Sequence, residues 1–293
     1  MVGDKGWRKA GVVLLFLLPN LLGFLIFSLG PVFASLGLSF YSWDLLSAPV
    51  FVGWENFRSL LSDADFWAAL RHTFRFISGY IPLVVAVGLG VALALNLPLR
   101  GRAFYRTAFF LPVVSSWVAV ALIWRWLFNP VYGVVNYLLS LVGIAGPAWL
   151  FDEHWAMPAI ILASVWKDLG FVAVLYLAGL QGIPDDYYEA ASLDGAGLWH
   201  KFRHVTLPLL TPTSFFVVII SLINSFQVFD QVYIMTNGGP AGATTVLVAE
   251  IYNHAFRYGK MGYASAMSWA LFALVFAATL IQMRLQRRWV HYE

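Results

Sequence analysis

The chain contains 293 residues, of which 60% are hydrophobic and only 11% are charged, and its formal net charge is +3. So few charged side chains cannot cover the surface of a water-soluble domain, so the composition excludes that class and indicates a polytopic membrane protein. The lack of cysteine excludes disulfides, thiolate metal sites and cysteine nucleophiles. The small net charge gives no support to nucleic-acid binding.

Membrane spans are predicted where a nearly charge-free run reaches the roughly 20 helical residues that cross the hydrocarbon core. These runs predict an all-α integral membrane protein with six transmembrane helices. The first run is too long for the apolar region of a signal peptide, and Gly30-Pro31 should bend it or mark its outer end. The predicted spans cover about residues 10–41, 76–99, 107–126, 155–181, 209–235 and 261–284.

A seventh charge-free run, residues 126–151, is interrupted by Asn129-Pro130 and Gly146-Pro147, so we do not expect it to span the membrane. The distribution of basic residues decides between six and seven spans, because these residues concentrate on the cytoplasmic side of membrane proteins. With six spans and a cytoplasmic N-terminus over residues 1–9, eleven basic residues lie inside and five outside. Both termini are therefore predicted to be cytoplasmic. The inner set is Lys5, Arg8, Lys9, Arg100, Arg102, Arg106, Lys201, Arg203, Arg284, Arg287 and Arg288, and the outer set is Arg58, Arg71, Arg75, Arg257 and Lys260.

A polar, glycine-broken loop over residues 182–208 is predicted between spans four and five, on the cytoplasmic side. Asp186 and Glu189 have the spacing of a capping box, and Gly195 or Gly197 can end the helix that they begin. A second short helix is expected before span five. From these residues alone, the loop is either a docking element for another protein or an ordinary amphipathic connector.

Polar side chains inside span five are candidates for the path of a solute, because such groups are costly in lipid. Ser221, Asn224, Ser225 and Val228 follow helical spacing and share one face. Gln227 leans to another face. Hydroxyl and amide groups suit an uncharged sugar, which needs neutral donors and acceptors. The alternative is that these groups hold helices together across the bundle.

Two other spans contribute candidates. Leu122 and Trp126, four residues apart in span three, are candidates for an apolar wall of the path, and Trp126 equally fits the aromatic belt at the interface. Lys167 and Asp168 lie near the middle of span four, where neighbours in sequence face different ways. Three roles remain open for these two charges: a structural pair with other spans, an opening onto the aqueous path, or substrate contact.

The loop carries a pattern that resembles the EAA motif of binding-protein-dependent ABC importer permeases. The residues of this pattern are Glu189, Ala190, Ala191, Gly195, Leu207 and Pro208, with Val205 where the family often has isoleucine. Other segments are similar to the carbohydrate branch of that family, the MalF type. These segments are Phe51–Phe57, Leu99–Arg106, Leu127–Pro130 and Thr236–Pro240, and the whole resemblance covers roughly residues 10–290.

The resemblance implies a MalF/MetI-like permease fold, with a single transmembrane domain over residues 10–290, in the inner membrane of a bacterial or archaeal cell. It implies the permease subunit of an ATP-driven importer of di- or oligosaccharides or polyols, which forms half of the translocation path. The EAA loop would couple it to a separate ATPase. The implied partners are a second, MalG-type permease, a MalK-type ATPase dimer, an extracytoplasmic sugar-binding protein and membrane lipids.

The chain has no P-loop, since its Gly259-Lys260 pair is followed by Met and lacks the preceding glycine. We therefore expect no catalytic residue, cofactor or metal of its own, with ATP and Mg²⁺ bound by the partner ATPase. The alternative function is a proton-coupled secondary transporter of a small polar solute, with Lys167, Asp168 and Asp230 as relay groups. The residues do not identify the sugar.

Overall fold

The computed structural model describes residues 4–98 and 100–289, and this part of the chain is predominantly helical. Leu99, at the end of the predicted second span, lies outside the described residues, as do residues 1–3 of the N-terminal segment and residue 290 of the predicted domain. The α-helices are α1 (Asp4–Phe24), α2 (Gly30–Leu38), α3 (Glu55–Ser62), α4 (Ala64–Asn96), α5 (Arg102–Val114), α6 (Trp117–Leu127), α7 (Val134–Leu141), α8 (Ala156–Gln181), α9 (Asp185–Leu193), α10 (Leu198–Lys201), α11 (Leu207–Leu209), α12 (Thr211–Phe226), α13 (Asp230–Met235), α14 (Leu247–Tyr252) and α15 (Met261–Trp289). Shorter elements are π-helical turns at Leu25–Leu29, Phe202–Thr206 and Asn253–Arg257, a 3₁₀ turn at Trp149–Phe151, and strands β1 (Tyr41–Ser42) and β2 (Val50–Phe51).

Several helices have the length and composition of membrane spans. In the described part of the chain, four stretches are long and apolar enough to cross a membrane: Val12–Leu38, Ala64–Asn96, Ala156–Gln181 and Met261–Gln286. Two bent helix pairs bring the number to six if each pair is one span. The prediction of an all-α integral membrane protein is confirmed.

The first bent pair corresponds to the predicted span three, and the second joins the end of the predicted loop to span five. Both spans were expected to be continuous. In the first pair, α5 and α6 meet at an angle of 101°. Pro112 lies near the end of α5, and the Ser116 side chain caps α6 by accepting a hydrogen bond from the Val118 amide. In the second pair, the helical stretch Leu198–Leu209 meets α12 at 63°. The predicted span 209–235 is broken again at residues 227–229, between α12 and α13.

The chain divides into two compact units, one containing Ala64–Glu250 and the chain from Leu271, the other containing the chain up to Asp63 and Ile251–Ala270. In the former unit α8 is central, because α4, α5, α6, α12 and α13 all pack against it. Its side chains Met157, Ile160 and Tyr176 are fully buried. This burial explains why the sequence of α8 is apolar on nearly all sides.

Glycines allow the helices around α8 to approach closely, as is typical of membrane bundles. A Cβ atom added to Gly170 of α8 would lie 2.0 Å from the Phe109 carbonyl oxygen of α5. A Cβ atom added to Gly88 of α4 would lie 2.5 Å from a Val172 methyl carbon of α8. Both distances are far below van der Waals contact, so a side chain at either position would force the two helices apart.

The other unit contains the β1–β2 hairpin, in which Tyr41 pairs with Phe51 and Ser42 with Val50. The Asp44 carboxylate closes the turn by accepting hydrogen bonds from the amides of Ser47, at 2.7 Å, and Leu46, at 3.0 Å. The bonds from the Ser47 amide and hydroxyl, followed by that from Leu46, lower the pKa of Asp44 to about 2. This turn is therefore held by an ionised carboxylate at neutral pH.

Candidate functional site: a polar cavity and a polar loop

A cavity of about 510 Å³ opens where α12 stops, at the break in span five. Backbone that is not helical is tolerated at membrane depth only where it is buried in protein or lines an aqueous space. The break meets this condition, because its residues 227–229 belong to the cavity wall. The lining residues are Phe76, Tyr80, Trp117, Asp168, Asn224, Ser225, Gln227, Val228, Phe229, Asp230 and Gln231.

Of the predicted path residues in span five, the cavity brings together Asn224, Ser225, Gln227 and Val228. Ser221 is buried one turn away and is not in the lining, although its carbonyl accepts a hydrogen bond from the Ser225 hydroxyl. Val228 lies beyond the end of α12, so the predicted helical face over Ser221–Val228 is incomplete. Gln227 faces the cavity because the helix has ended.

The predicted apolar wall lies elsewhere. Leu122 and Trp126 of α6 are each about half exposed, at 52% and 53%, and neither lines the cavity. The residue of α6 that does line it is Trp117, in its first turn. The sequence signal for Trp117 was the Ser115-Ser116 pair, since a serine before an apolar run marks a helix start. The interpretation of span three as one continuous helix concealed that signal.

Lys167 and Asp168 have different environments, as expected of neighbours on a helix. Lys167 is 6% exposed, donates a hydrogen bond to the Val113 carbonyl at 3.2 Å, and lies 5.1 Å from the centre of the Trp117 ring. Asp168 faces the cavity, where one of its carboxylate oxygens accepts a hydrogen bond from the Tyr80 hydroxyl at 2.7 Å. The lysine packs among helices, and the aspartate belongs to the cavity.

Aromatic rings form the apolar part of the cavity wall. Phe76 and Tyr80, one turn apart on α4, are stacked with their ring centres 5.3 Å apart and an interplanar angle of 11°. Phe229 stacks in a similar way on Tyr233. Apart from Trp117 and Val228 the remaining wall is polar, and the Gln231 amide donates to the Ser164 hydroxyl of α8 at 3.5 Å. The cavity thus combines flat apolar faces with hydroxyl, amide and carboxylate groups.

The predicted loop, residues 182–208, is helical over most of its length. Its first helix, α9, starts at Asp185 after Pro184 and has no side-chain cap, so the predicted capping box at Asp186 is wrong. Proline before the first turn supplies the extended residue that the box was expected to provide. Glu189 and Ala190 are exposed on α9, and Ala191 is partly buried.

Gly195 ends α9 with φ of +77°. Its amide bonds to the Ser192 carbonyl at 3.0 Å, and the Ala196 amide bonds to the Ala191 carbonyl at 2.9 Å. This pair of hydrogen bonds is a Schellman motif, which needs a left-handed residue that glycine adopts without strain. Of the two predicted helix ends, Gly195 is therefore the one used.

Two side-chain hydrogen bonds connect the two halves of the loop. The Tyr188 hydroxyl of α9 lies 3.1 Å from the Thr206 hydroxyl, and the Lys201 ammonium donates to the Ser192 hydroxyl. The stretch from Leu198 runs through α10, the π-helical turn and α11 to Leu209, so Leu207 and Pro208 lie directly before the bend into α12. Its outer surface is apolar in part, with Leu193 and Leu198 about nine-tenths exposed.

A second cavity, of about 550 Å³, lies in the unit that contains the hairpin. Its carboxylates are used internally, because Asp44 closes its own turn and Asp63 accepts a hydrogen bond from Tyr263. Its Asn56 side chain donates to the carbonyls of Ser39 and Tyr41. We interpret this cavity as structural. Among the described residues, no group of three or more His, Asp or Glu is placed to hold a metal ion.

Comparison with known proteins identifies the family of the chain. Residues 85–291 match the family described as binding-protein-dependent transport system inner membrane component. A probable ABC transporter permease protein of Bacillus subtilis, YesP, is 41% identical over 95% of this chain and 91% of its own length. The trehalose/maltose transport system permease protein MalF of Thermococcus litoralis is 36% identical over 96% and 95% of the two chains.

The same architecture is present in a bacterial ABC transporter involved in the import of the acidic polysaccharide alginate. One of its chains superposes with a TM-score of 0.84, at 26% identity, over 97% of this chain and 98% of its own. A second crystal structure contains that transporter in complex with an alginate pentasaccharide-bound periplasmic protein. The chain described here therefore belongs to the family of binding-protein-dependent transport system inner membrane components, the multi-pass permease subunits of ABC importers.

Proposed function

We propose that this chain is the permease subunit of an ATP-driven importer of di- or oligosaccharides or polyols, and that it forms half of the translocation path. The observation that carries the proposal is the cavity at the break in span five. Sugars present hydroxyl groups along their rims and flat apolar faces between them, and the cavity offers partners for both. The similarity to a trehalose/maltose permease and to an alginate importer supports the same substrate class.

The loop over residues 182–208 is proposed as the element that couples transport to ATP hydrolysis in a separate MalK-type ATPase dimer, which would also bind ATP and Mg²⁺. The proposed coupling residues are Glu189, Ala190, Ala191, Gly195, Leu207 and Pro208. Its two internal hydrogen bonds support this role, since a movement applied to α9 reaches α12 only if the loop does not deform. Its exposed leucines supply an apolar surface for a partner.

The proposed arrangement places the loop and both termini in the cytoplasm, with one transmembrane domain over residues 10–290 and six spans near the bounds given above. The distribution of basic residues supports this orientation. A second, MalG-type permease would supply the other half of the path. An extracytoplasmic sugar-binding protein would deliver the solute, as the family description implies.

The test is uptake of sugar by the complete complex reconstituted in lipid vesicles with its binding protein. We expect uptake to stop when ATP is removed while a proton gradient is held, and to continue when a protonophore collapses the gradient in the presence of ATP. The opposite pattern would favour the proton-coupled alternative and contradict the proposal.

A further inference from the structure

The charged groups of the cavity all have one sign. Its lining includes the carboxyl groups of Asp168 and Asp230, and none of the described lining residues is Lys, Arg or His. Given the proposed sugar-importing function, we propose that this cavity accepts uncharged and amino sugars and rejects sugars that carry a carboxylate, sulfonate or phosphate. The geometry points to Asp168 as the residue that determines this specificity.

The Asp168 carboxylate is held in a fixed position and remains available to a ligand. Its Oδ2 accepts the hydrogen bond from Tyr80, which is 4% exposed and is stacked on Phe76. Tyr80 is its one hydrogen-bond donor in the described part of the chain. The second oxygen is thus free to accept a hydrogen bond from a sugar hydroxyl or ammonium group, and charge-assisted bonds of this kind are the strong ones.

The described lining of the cavity contains no cationic side chain beside this carboxylate. Lys167, its neighbour in sequence, lies outside the lining, and its ammonium contacts the Val113 carbonyl and the face of the Trp117 ring. Tyr80 is a neutral donor, so its hydrogen bond orients the carboxylate without neutralising it. An anionic sugar entering the cavity would meet two like charges in a space partly enclosed by protein, where repulsion is stronger than in water.

Asp230 places a second carboxyl group in the cavity, on the other side of the break. It is exposed to the cavity and lies in the first turn of α13. The remaining polar lining consists of neutral groups, those of Asn224, Ser225, Gln227 and Gln231. The fold itself does not determine whether anionic sugars are accepted, because the similar alginate importer is involved in the import of an acidic polysaccharide. Rejection of anions must therefore come from side chains of this chain.

The test uses the complete complex in vesicles and sets of three related disaccharides. The neutral member is unmodified, the uronate member has one hydroxymethyl group oxidised to a carboxylate, and the amino member has one hydroxyl replaced by an amine. We first measure which members load the binding protein, and then their uptake at equal loading. We expect neutral and amino members to be imported and the loaded uronate members to be imported about tenfold more slowly.

Uronate uptake that equals neutral uptake, or a binding protein that loads only acidic sugars, would overturn the charge proposal and leave the sugar-importer function intact. Failure of ATP-dependent uptake for every sugar would instead contradict the proposed function. These two failures are therefore distinguishable.

The role of Asp168 is tested by Asp168→Asn, with Glu153→Gln as a matched control, because Glu153 is exposed in the turn before α8 and outside the cavity. Asp168→Asn should lower the uptake ratio of amino to neutral sugar about fivefold or more, with a higher KM for the amino member. Glu153→Gln should leave the ratio unchanged.

A purely structural role for Asp168 would lower uptake of both sugars equally and leave their ratio unchanged, which would overturn its assignment. Tyr80→Phe provides the second measurement, because it removes the orienting bond and keeps the charge. It should reduce uptake of both sugars while the preference for the amino member remains.

Discussion

At the scale of single residues, Lys167 and Asp168 show what a sequence can and cannot assign. Their adjacency predicted that they face different ways, and they do. Which of them faces the cavity could not be predicted, because α8 is buried on most sides and its apolar pattern does not mark one face. The answer depends on Tyr80, which is 88 residues away in the sequence.

Glu189 is the residue at which loss of coupling can be tested most directly. It is exposed on α9, so Glu189→Lys should leave the fold intact. If Glu189 meets a basic group of the ATPase, charge reversal replaces attraction by repulsion, and uptake should fall about tenfold or more. Uptake and binding-protein-stimulated ATP hydrolysis are measured in the same vesicles.

The control for this variant is Glu153→Lys, which reverses an exposed charge outside the loop. It should transport normally. Normal uptake by Glu189→Lys as well would rule out a role for this side chain in coupling.

Gly195 offers a test of loop rigidity by a single methyl group. At φ of +77°, alanine costs about 1 kcal/mol because its Cβ crowds the backbone. Gly195→Ala should therefore increase hydrogen exchange in residues 189–209 and lower the amount of sugar imported per ATP. Gly197→Ala is the matched control, because Gly197 has φ of −72°. Equal exchange in the two variants would show that the Schellman turn does not determine the stability of the loop.

At the scale of elements, the breaks in spans three and five differ in whether the sequence could predict them. The break between α5 and α6 had signals, namely Pro112 and the Ser116 cap. The break between α12 and α13 has none, because residues 227–229 contain neither glycine nor proline. It exists because the tertiary structure provides a polar cavity there. A local reading of the sequence could predict the first break and not the second.

Helix packing around α8 can be tested with paired glycine variants. Gly170→Ala places a methyl group against the α5 backbone at Phe109, which cannot rotate away, so the complex should lose about 1–3 kcal/mol of stability. Gly90→Ala, in α4, has no atom within 4 Å of the added Cβ and should be neutral or slightly stabilising. Thermal denaturation of the purified complex measures both. Equal melting temperatures would show that the α5–α8 contact has room to relax.

At the scale of the whole molecule, composition and charge predicted the protein class, and the EAA loop predicted the family that the comparisons confirm. The sequence does not identify the sugar, and the reason is physical. The groups proposed to bind it come from α4, α6, α8, α12, α13 and the break, and no single segment carries their combination.

Orientation in the membrane is a property of the whole chain, and the lack of native cysteine makes it directly measurable. Val131→Cys and Leu193→Cys each place one thiol at a site that is 90% exposed. A membrane-impermeant maleimide added to spheroplasts should label position 131 and should not label position 193. Inside-out vesicles should give the reverse result. The cysteine-free parent is the control, and labelling of position 193 from outside would contradict the proposed topology.

The break in span five also bears on how such a permease changes its cargo over evolutionary time. Where α12 ends, the Gln227 amide donates hydrogen bonds to the carbonyls of Asn224 and Ser225, so peptide groups close the end of the helix. Substitution replaces side chains and leaves these peptide bonds in place. Asn224, Gln227 and Asp168 can therefore vary while the break and its cavity are kept. A lineage can then move from one sugar to another through changes in the cavity lining, without rebuilding the fold.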